Sequence, residues 1–439
     1  MIDNATFANA TALFHTFGCK LNFAETSTIA QMMADRGIRR VAKGEVPDFI
    51  VVNTCSVTEL ADKKCRQTIR SYNRRYPDAA ILVTGCYAQL KSEEASKLPG
   101  VVIVGGTDRK NELIDYLERW MEDRRNVCMV SRMQDLRSFS PSCSRGDRTR
   151  YFLKVQDGCD YWCTYCTIPA ARGRSRSASV ADIVAQAERA AAAGGKEIVI
   201  TGVNIGDFGK GTDENFFQLI KALDQIDGIE RYRISSIEPN LLTDEIIDFT
   251  ATSRKFMPHF HIPLQSGSDA VLKLMRRHYD TALFRNKIQT IRRKIPDAFI
   301  GVDLIVGMRG ETTEEFERSV DFVESLDISQ LHVFTYSERP GTKALDIPHI
   351  VSQQEKHMRT RRMIEISELK HKAFASRFLG TSRPVLLEHS QKGKPMSGFT
   401  DNYLKISVDA SPEMDNQLVN VRLVSYDDKN AEIKSQLLL

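Results

Sequence analysis

The sequence lacks what a chain needs to enter a membrane: no run of about 18 or more apolar residues occurs. The opening Met1-Ile-Asp-Asn-Ala-Thr-Phe has no basic segment ahead of its short apolar stretch, so no secretory signal is expected and the cytosol is the expected compartment. Cysteine is scarce. Nine in 439 residues are far too few for a disulfide scaffold, and an odd number in a reducing compartment reads as metal or redox ligation. A large charge of either sign is missing too: a formal net charge of +4 neither demands nor excludes nucleic acid, so the placement of Lys and Arg carries the information. With 42% hydrophobic residues the chain has ordinary material for roughly two to four cored domains.

The few cysteines are not scattered. Gln156-Asp-Gly-Cys-Asp-Tyr-Trp-Cys-Thr-Tyr-Cys166 holds Cys159, Cys163 and Cys166, and neither a His nor a fourth Cys lies nearby to close a tetrahedral zinc site. A four-iron four-sulfur cluster normally takes four cysteines, so three would leave one iron open to bind something other than protein.

From Ala12 onward, apolar runs alternate with small-residue turns and segments of helical period, the sign of a parallel α/β sheet. The runs Leu13–Phe17, Phe49–Asn53 and Ala80–Thr84 are each followed almost at once by a cysteine, Cys19, Cys55 and Cys86; a fourth run, Val101–Val104, is not. Carboxyl ends of parallel strands share one sheet edge, where open α/β sheets bind ligands, so a second open cluster is expected there. Cys65, Cys128 and Cys143 have no such context and read as incidental. The helix expected after Cys55 carries Lys63, Arg66, Arg70 and Arg74 on one face, a candidate phosphate contact.

A Ser/Pro/Gly-rich segment ends this domain, giving expected boundaries of 1–124 for it and 125–149 for a linker. A new βα series begins at Tyr151–Gln156 and continues through Glu197–Thr201, Tyr232–Ser235, His259–Leu264, Phe299–Val306 and Leu331–Thr335. Six units predict a partial (β/α)6 barrel over 150–378, with the cysteine triplet and the polar residues Asn204, Glu238, Gln265 and Ser266 on loops after its strands. A long basic helix is expected over Val351–Phe378, ended by Gly380. Residues 379–439 read as a small closed β-barrel presenting Lys392, Lys394, Phe399, Tyr403 and Lys405, a mixture of cation and aromatic suited to RNA.

The CxxxCxxC triplet with Tyr165 before its last Cys resembles the radical S-adenosylmethionine enzymes. With three cysteines after successive strands ahead of it and a small barrel behind, the whole chain resembles their methylthiotransferase family. Thr201-Gly-Val-Asn-Ile-Gly-Asp-Phe-Gly209, Arg233-Ile-Ser-Ser-Ile-Glu-Pro239 and His261-Ile-Pro-Leu-Gln-Ser-Gly-Ser268 look most like the branch acting on threonylcarbamoyladenosine in tRNA. Gly307-Met-Arg-Gly-Glu-Thr312 departs from it, since many relatives have Phe-Pro where Met308 and Arg309 stand.

The resemblance implies two 4Fe-4S clusters, one on Cys159, Cys163 and Cys166 and an auxiliary one on Cys19, Cys55 and Cys86, with S-adenosylmethionine at the first. It implies that Tyr165, Gly202, Asn204, Ser236, Glu238 and Gln265 hold S-adenosylmethionine, that the last domain is TRAM-like, and that the partners are a tRNA anticodon stem-loop, a flavodoxin- or ferredoxin-type electron donor and a sulfur source. The reaction implied is methylthio insertion at carbon 2 of the adenosine 3′ of the anticodon. A substrate carboxylate calls for a cation, for which Arg339 is the candidate. Two alternatives keep the enzyme but change the substrate, to isopentenyl-adenosine tRNA or a ribosomal-protein aspartate. A third makes the chain a non-catalytic iron–sulfur or zinc protein that binds RNA.

Overall fold

The computed structural model describes residues 7, 9–144, 149–390 and 393–438; Lys392 lies outside the described residues. The first βα series forms β1 (Thr11–Thr16), α1 (Lys20–Asp35), β2 (Arg39–Arg40), β3 (Phe49–Thr54), α2 (Glu59–Arg75), β4 (Ala80–Gly85), α3 (Cys86–Leu90), α4 (Ser92–Ser96), β5 (Val101–Gly105), α5 (Leu113–Asp123) and β6 (Val127–Met129). Six strands lie in the order β2-β1-β3-β4-β5-β6, all parallel. β3 and β4 are buried end to end because helices cover both faces. Val51, Leu82, Ile29 and Leu117 fill one side, and Val52, Val83, Ile69 and Cys65 the other, each aliphatic side chain contributing ~1.5–3 kcal/mol by leaving water. The strand order reverses between β1 and β3, which opens a crevice at their carboxyl ends.

The segment expected to be a linker differs from that expectation. It supplies β6 to the first sheet and β7 (Ser142–Cys143) to the next, strands of two or three residues that are too short to show a period. There follow β8 (Arg150–Lys154), β9 (Gln156–Asp157), α6 (Ile168–Arg172), β10 (Arg176–Ser177), α7 (Val180–Ala192), β11 (Glu197–Thr201), α8 (Phe216–Asp224), β12 (Arg231–Ile234), α9 (Asp244–Thr252), β13 (His259–Gln265), α10 (Asp269–Met275), α11 (Thr281–Lys294), β14 (Phe299–Val306), α12 (Thr313–Glu324), β15 (Gln330–Thr335) and α13 (Gln353–Ser376). β8, β11 and β12 are parallel neighbours, as are β13, β14 and β15, and bridges from Tyr232 to Phe256 and Ser236 to His261 join the two sets into one six-strand arc. Alternate residues such as Ile198, Ile200, Ile262, Ile300 and Val302 pack under the helices. The intervening positions, among them Phe152, Val199, His259, His261, Asp303 and His332, belong to the inner face. Helix α1 crosses that face, with Phe23 and Ala24 against Phe152 and Val199.

Ser352 and Glu355 form the capping box that starts α13, and Gly380 at φ 82° lies just beyond its end. β16 (Ser382–Glu388), β17 (Met396–Thr400), β18 (Lys405–Val408), β19 (Leu418–Asp427) and β20 (Glu432–Leu437) close a barrel in the order β16-β17-β18-β20-β19. Its core of Val385, Leu387, Ile406 and Val421 is continuous with Phe299, Phe374 and Phe378, so the barrel is fused to β14 and α13. Among the described residues no helix is long and apolar enough to cross a membrane.

Candidate active site

Cys19, Cys55 and Cys86 come off the carboxyl ends of β1, β3 and β4, three neighbouring strands. The turns that aim them need glycine. At Gly18 (φ 94°) a β-carbon would lie 2.9 Å from Cβ and 3.1 Å from Sγ of Cys55, and at Gly85 (φ 98°) it would press on the Thr54 carbonyl. Burial pushes the Cys55 thiol up to about 12, with Cys86 and Cys19 close enough to add to the shift. Cys86 is raised by burial as well, and the neighbouring Arg172 pulls it the other way. Cys65 is buried in the sheet core, Cys143 is buried in the barrel core and Cys128 is exposed.

The Cys159–Cys166 loop follows β9, with Trp162 held at φ 52° in the left-handed region at a cost of ~1–2 kcal/mol. Donors face all three sulfurs. The Tyr161 N–H donates to Cys159 Sγ and the Ile168 N–H to Cys166 Sγ, each at 3.4 Å, and Arg277 Nη1 donates to Cys163 Sγ at 3.0 Å. Burial pushes Cys159 and Cys166 up to about 12 and raises Cys163, where Arg277 opposes it. Thiols so buried ionise only when a metal draws the proton off, and donors on sulfur then stabilise and tune the centre. Three cysteines with no fourth beside them are the donor set of a four-iron cluster that leaves one iron open, and Cys159, Cys163 and Cys166 offer that set on one loop.

Other sequence candidates line the same barrel edge. Among the described residues both side-chain polar atoms of Asn204 and the Oε1 of Gln265 are buried without a partner, and Gln265 sits at φ 65° on a bulge of β13. Leaving such groups unmet costs ~1–3 kcal/mol apiece, which a polar ligand would recover. At Gly202 a β-carbon would lie 3.0 Å from the Gln156 carbonyl oxygen, so the turn after β11 stays close to the triplet strand. Ser236 bridges to His261, and Glu238 accepts a hydrogen bond from Arg277 Nη2. Burial raises the Glu238 carboxyl, against the pull of Arg277. Tyr165 is packed beside Arg277, whose Nη1 lies 3.5 Å from its hydroxyl. These donor and acceptor types suit the amino acid and ribose of S-adenosylmethionine. Arg277 was not legible as a site residue, since Arg276-Arg277 at the end of α10 reads as an ordinary basic helix end.

A cavity of about 200 Å³ is lined by Cys166 of the triplet and by Val57 and Thr58, which follow Cys55 in the chain. Val57 and Thr58, just beyond Cys55, form one wall; Tyr165, Cys166, Gln265, Asp303 and Phe334 form others. The domains are locked together beside it by a buried ionic cluster. Glu25 of α1 accepts from Lys110, from Lys154 Nζ at 2.8 Å and from Arg172 Nη1 at 3.1 Å, and Arg172 also donates to Asp157 at 3.0 Å and to Asn22 at 2.6 Å. Sequence inspection missed this cluster because each member reads singly as a helix or strand-end charge.

Four expected substrate contacts stand otherwise. Arg339 is 3% exposed, and its Nη2 donates to Asp62 Oδ2 at 2.8 Å and Ser56 Oγ at 2.9 Å, which ties the domains together, while its buried Nε has no partner among the described residues. Phe399 has the Arg150 guanidinium over its ring at 4.1 Å and Tyr403 stacked on it at 4.8 Å, while Tyr403 also packs on His259 at 4.2 Å. Both half-buried rings thus take part in the contact between the terminal barrel and the central one, where base stacking was expected of them. Arg66 pairs with Glu94 at 3.1 Å. Lys63 and Arg70 are exposed and form no ion pair among the described residues. Lys394 and Lys405 are exposed, and Lys405 pairs with Glu432. The departure at Met308 and Arg309 is accommodated: Met308 packs among Val271, Met275 and Tyr336, and Arg309 ties the loop to Glu338.

The family model described as Radical SAM superfamily matches residues 153–323, and that described as Uncharacterized protein family UPF0004 matches 11–106. The chain is 39% identical to "Threonylcarbamoyladenosine tRNA methylthiotransferase MtaB" of Bacillus subtilis (strain 168), over 94% of each chain. It is 32% identical to "tRNA-2-methylthio-N(6)-dimethylallyladenosine synthase" of Syntrophotalea carbinolica, over 94% of this chain and 96% of that one. A solved radical S-adenosylmethionine methyltransferase, TsrM from Kitasatospora setae, superposes with a TM-score of 0.56 at 14% identity over 74% of this chain and 73% of that one, a likeness of fold alone.

Proposed function

Because the chain belongs to the methylthiotransferase family of radical S-adenosylmethionine enzymes, we propose that it inserts a methylthio group at carbon 2 of threonylcarbamoyladenosine 3′ of the anticodon in tRNA. The observation that carries this reading is the single cavity walled on one side by residues next to Cys55 and on another by Tyr165 and Cys166. A base there would lie against Cys166 and against the chain just beyond Cys55. The family implies a 4Fe-4S cluster and S-adenosylmethionine; the second cluster, on Cys19, Cys55 and Cys86, is part of the proposal. When bound, these groups supply the one-electron and sulfur chemistry that an inert adenine C–H bond requires and that acids and bases cannot.

The chain's own residues position and exclude. Arg277 holds Cys163, Glu238 and Tyr165 in one constellation, and Asn204, Gly202, Ser236 and Gln265 offer a polar edge for the amino acid and ribose of S-adenosylmethionine. Arg172 and Glu25 fix the spacing between the two cysteine sets. The electron comes from an external donor of flavodoxin or ferredoxin type, the sulfur from an outside source, and the tRNA substrate places the enzyme in the cytoplasm.

The test is mass spectrometry of tRNA nucleosides from a deletion strain. Loss of the 2-methylthio form with accumulation of threonylcarbamoyladenosine is expected; loss of methylthiolated dimethylallyladenosine instead would reassign the substrate.

Helix α2 starts at the cavity wall, and its exposed Lys63 and Arg70 lead outward from it as a track for phosphate. Replacing both with Glu is expected to weaken tRNA binding about tenfold at moderate salt and to lower the salt slope by about 2, because two phosphate contacts no longer release counterions. Filter binding across a salt series measures both, and an unchanged slope removes the helix from the interface.

A further inference from the structure

A threonylcarbamoyl group brings a carboxylate into the cavity, and a carboxylate leaves water at a high cost unless a cation meets it. The cations around the cavity are largely committed. Arg339 is held by Asp62 through Nη2, with its buried Nε unpartnered among the described residues, Arg277 is held by Glu238, and Arg172, Lys110 and Lys154 by Glu25. Lys356 is buried, with its ammonium 5.1 Å from the centre of the Tyr336 ring.

Lys20 is different. It is the first residue of α1, directly bonded to Cys19, and it is half-buried. Among the described residues it forms no hydrogen bond or ion pair. Because α1 lays Phe23 and Ala24 on the inner face of the barrel, its first turn is brought over that face too. Lys20 stands three and four residues before Phe23 and Ala24, hence on the same face of α1. Asp303 lines the cavity and accepts from His261 Nε2 at 2.7 Å, so that carboxylate already has its own partner.

We propose that Lys20 is the cation that receives the threonine carboxylate of the base, with the His261–Asp303 pair beside it as acceptor for the threonine hydroxyl. The assignment rests on the substrate reading above. It makes one turn of chain serve two purposes, holding an auxiliary thiolate through Cys19 and selecting the modified base through the next residue.

The test compares the affinity of anaerobically reconstituted holoenzyme for three anticodon stem-loops, carrying threonylcarbamoyladenosine, its carboxyl methyl ester, or unmodified adenosine. The wild type is expected to bind the free acid about tenfold or more tighter than the ester, as loss of one charge-assisted contact implies. Lys20→Gln should bring the acid-to-ester ratio close to one, and Lys20→Arg should keep it, with iron and sulfide content as in the wild type. A Lys20→Gln enzyme that retains the wild-type ratio overturns the assignment and leaves the substrate reading standing. Equal affinity of the wild type for acid and ester overturns it without any variant. A wild type that neither prefers nor methylthiolates the threonylcarbamoylated loop overturns both.

Discussion

Cys86→Ala enzyme, reconstituted anaerobically, is expected to retain reductive cleavage of S-adenosylmethionine and to lose methylthio transfer by about a thousandfold or more, whereas Cys163→Ala is expected to lose both. The asymmetry follows from where the two thiols sit. Cys163 lies in the triplet loop, accepting from Arg277, the same guanidinium that holds Glu238 and Tyr165 at the proposed S-adenosylmethionine edge. Cys86 opens a helix in the other domain, beside Cys55 and Arg172, and contacts none of that edge. Production of 5′-deoxyadenosine and of methylthiolated nucleoside, assayed in parallel, reads the two losses separately. If Cys86→Ala also stopped S-adenosylmethionine cleavage, the two cysteine sets could not be two centres with separate tasks.

The second large effect is on assembly. Glu25→Gln is expected to destabilise the protein by about 3–5 kcal/mol, the scale on which breaking a buried ion pair acts. Glu25 is 3% exposed and is shared by Lys110, Lys154 and Arg172, so removing its charge leaves Lys154 and Arg172 with Asp157 alone and strips Lys110 of its carboxylate partner. Burial by itself would raise the Glu25 carboxyl, but Arg172, Lys110 and Lys154 outweigh it and hold it well below the usual carboxylate range. A carboxyl depressed in the folded state contributes stability that is fully present above its unfolded value and is lost as pH falls below it. The wild type should therefore lose stability in acid more steeply than Glu25→Gln, in which Asp157 alone of the two cluster carboxylates still titrates. Because Glu25 is in the first domain and Lys154 and Arg172 are in the second, the variant should also expose the junction to limited proteolysis. A melting temperature and a digestion pattern unchanged from the wild type would show that the cluster does not hold the domains.

What could be read from the sequence follows from periodicity and spacing. Buried parallel strands such as Phe49–Thr54 are continuous apolar runs, and cysteines directly after such runs must share a sheet edge, so the convergence of Cys19, Cys55 and Cys86 was legible before any coordinates. The triplet was legible because its three ligands are local. β17 was not, since Met-Ser-Gly-Phe-Thr has neither a clear alternation nor a β-branched run. The partners of single charges were not legible either. Arg339, Phe399 and Tyr403 looked like ligand-facing residues because a turn arginine and barrel aromatics often are, yet each meets another domain of the same chain. Side-chain commitments between residues hundreds of positions apart leave no local pattern, which also hid Arg277, Arg172 and Glu25. The face of α1 that Lys20 shares with Phe23 and Ala24, laid on the inside of the central barrel, is likewise visible only in the fold.

The central proposal, that two cysteine sets hold two separate open clusters, is tested most directly by counting iron in three anaerobically reconstituted proteins: the wild type, the Cys19/Cys55/Cys86→Ala triple variant and the Cys159/Cys163/Cys166→Ala triple variant. About eight irons per chain in the wild type and about four in each variant are expected for two four-iron clusters on independent cysteine sets. About four irons in the wild type, or one tightly held zinc, would contradict the account.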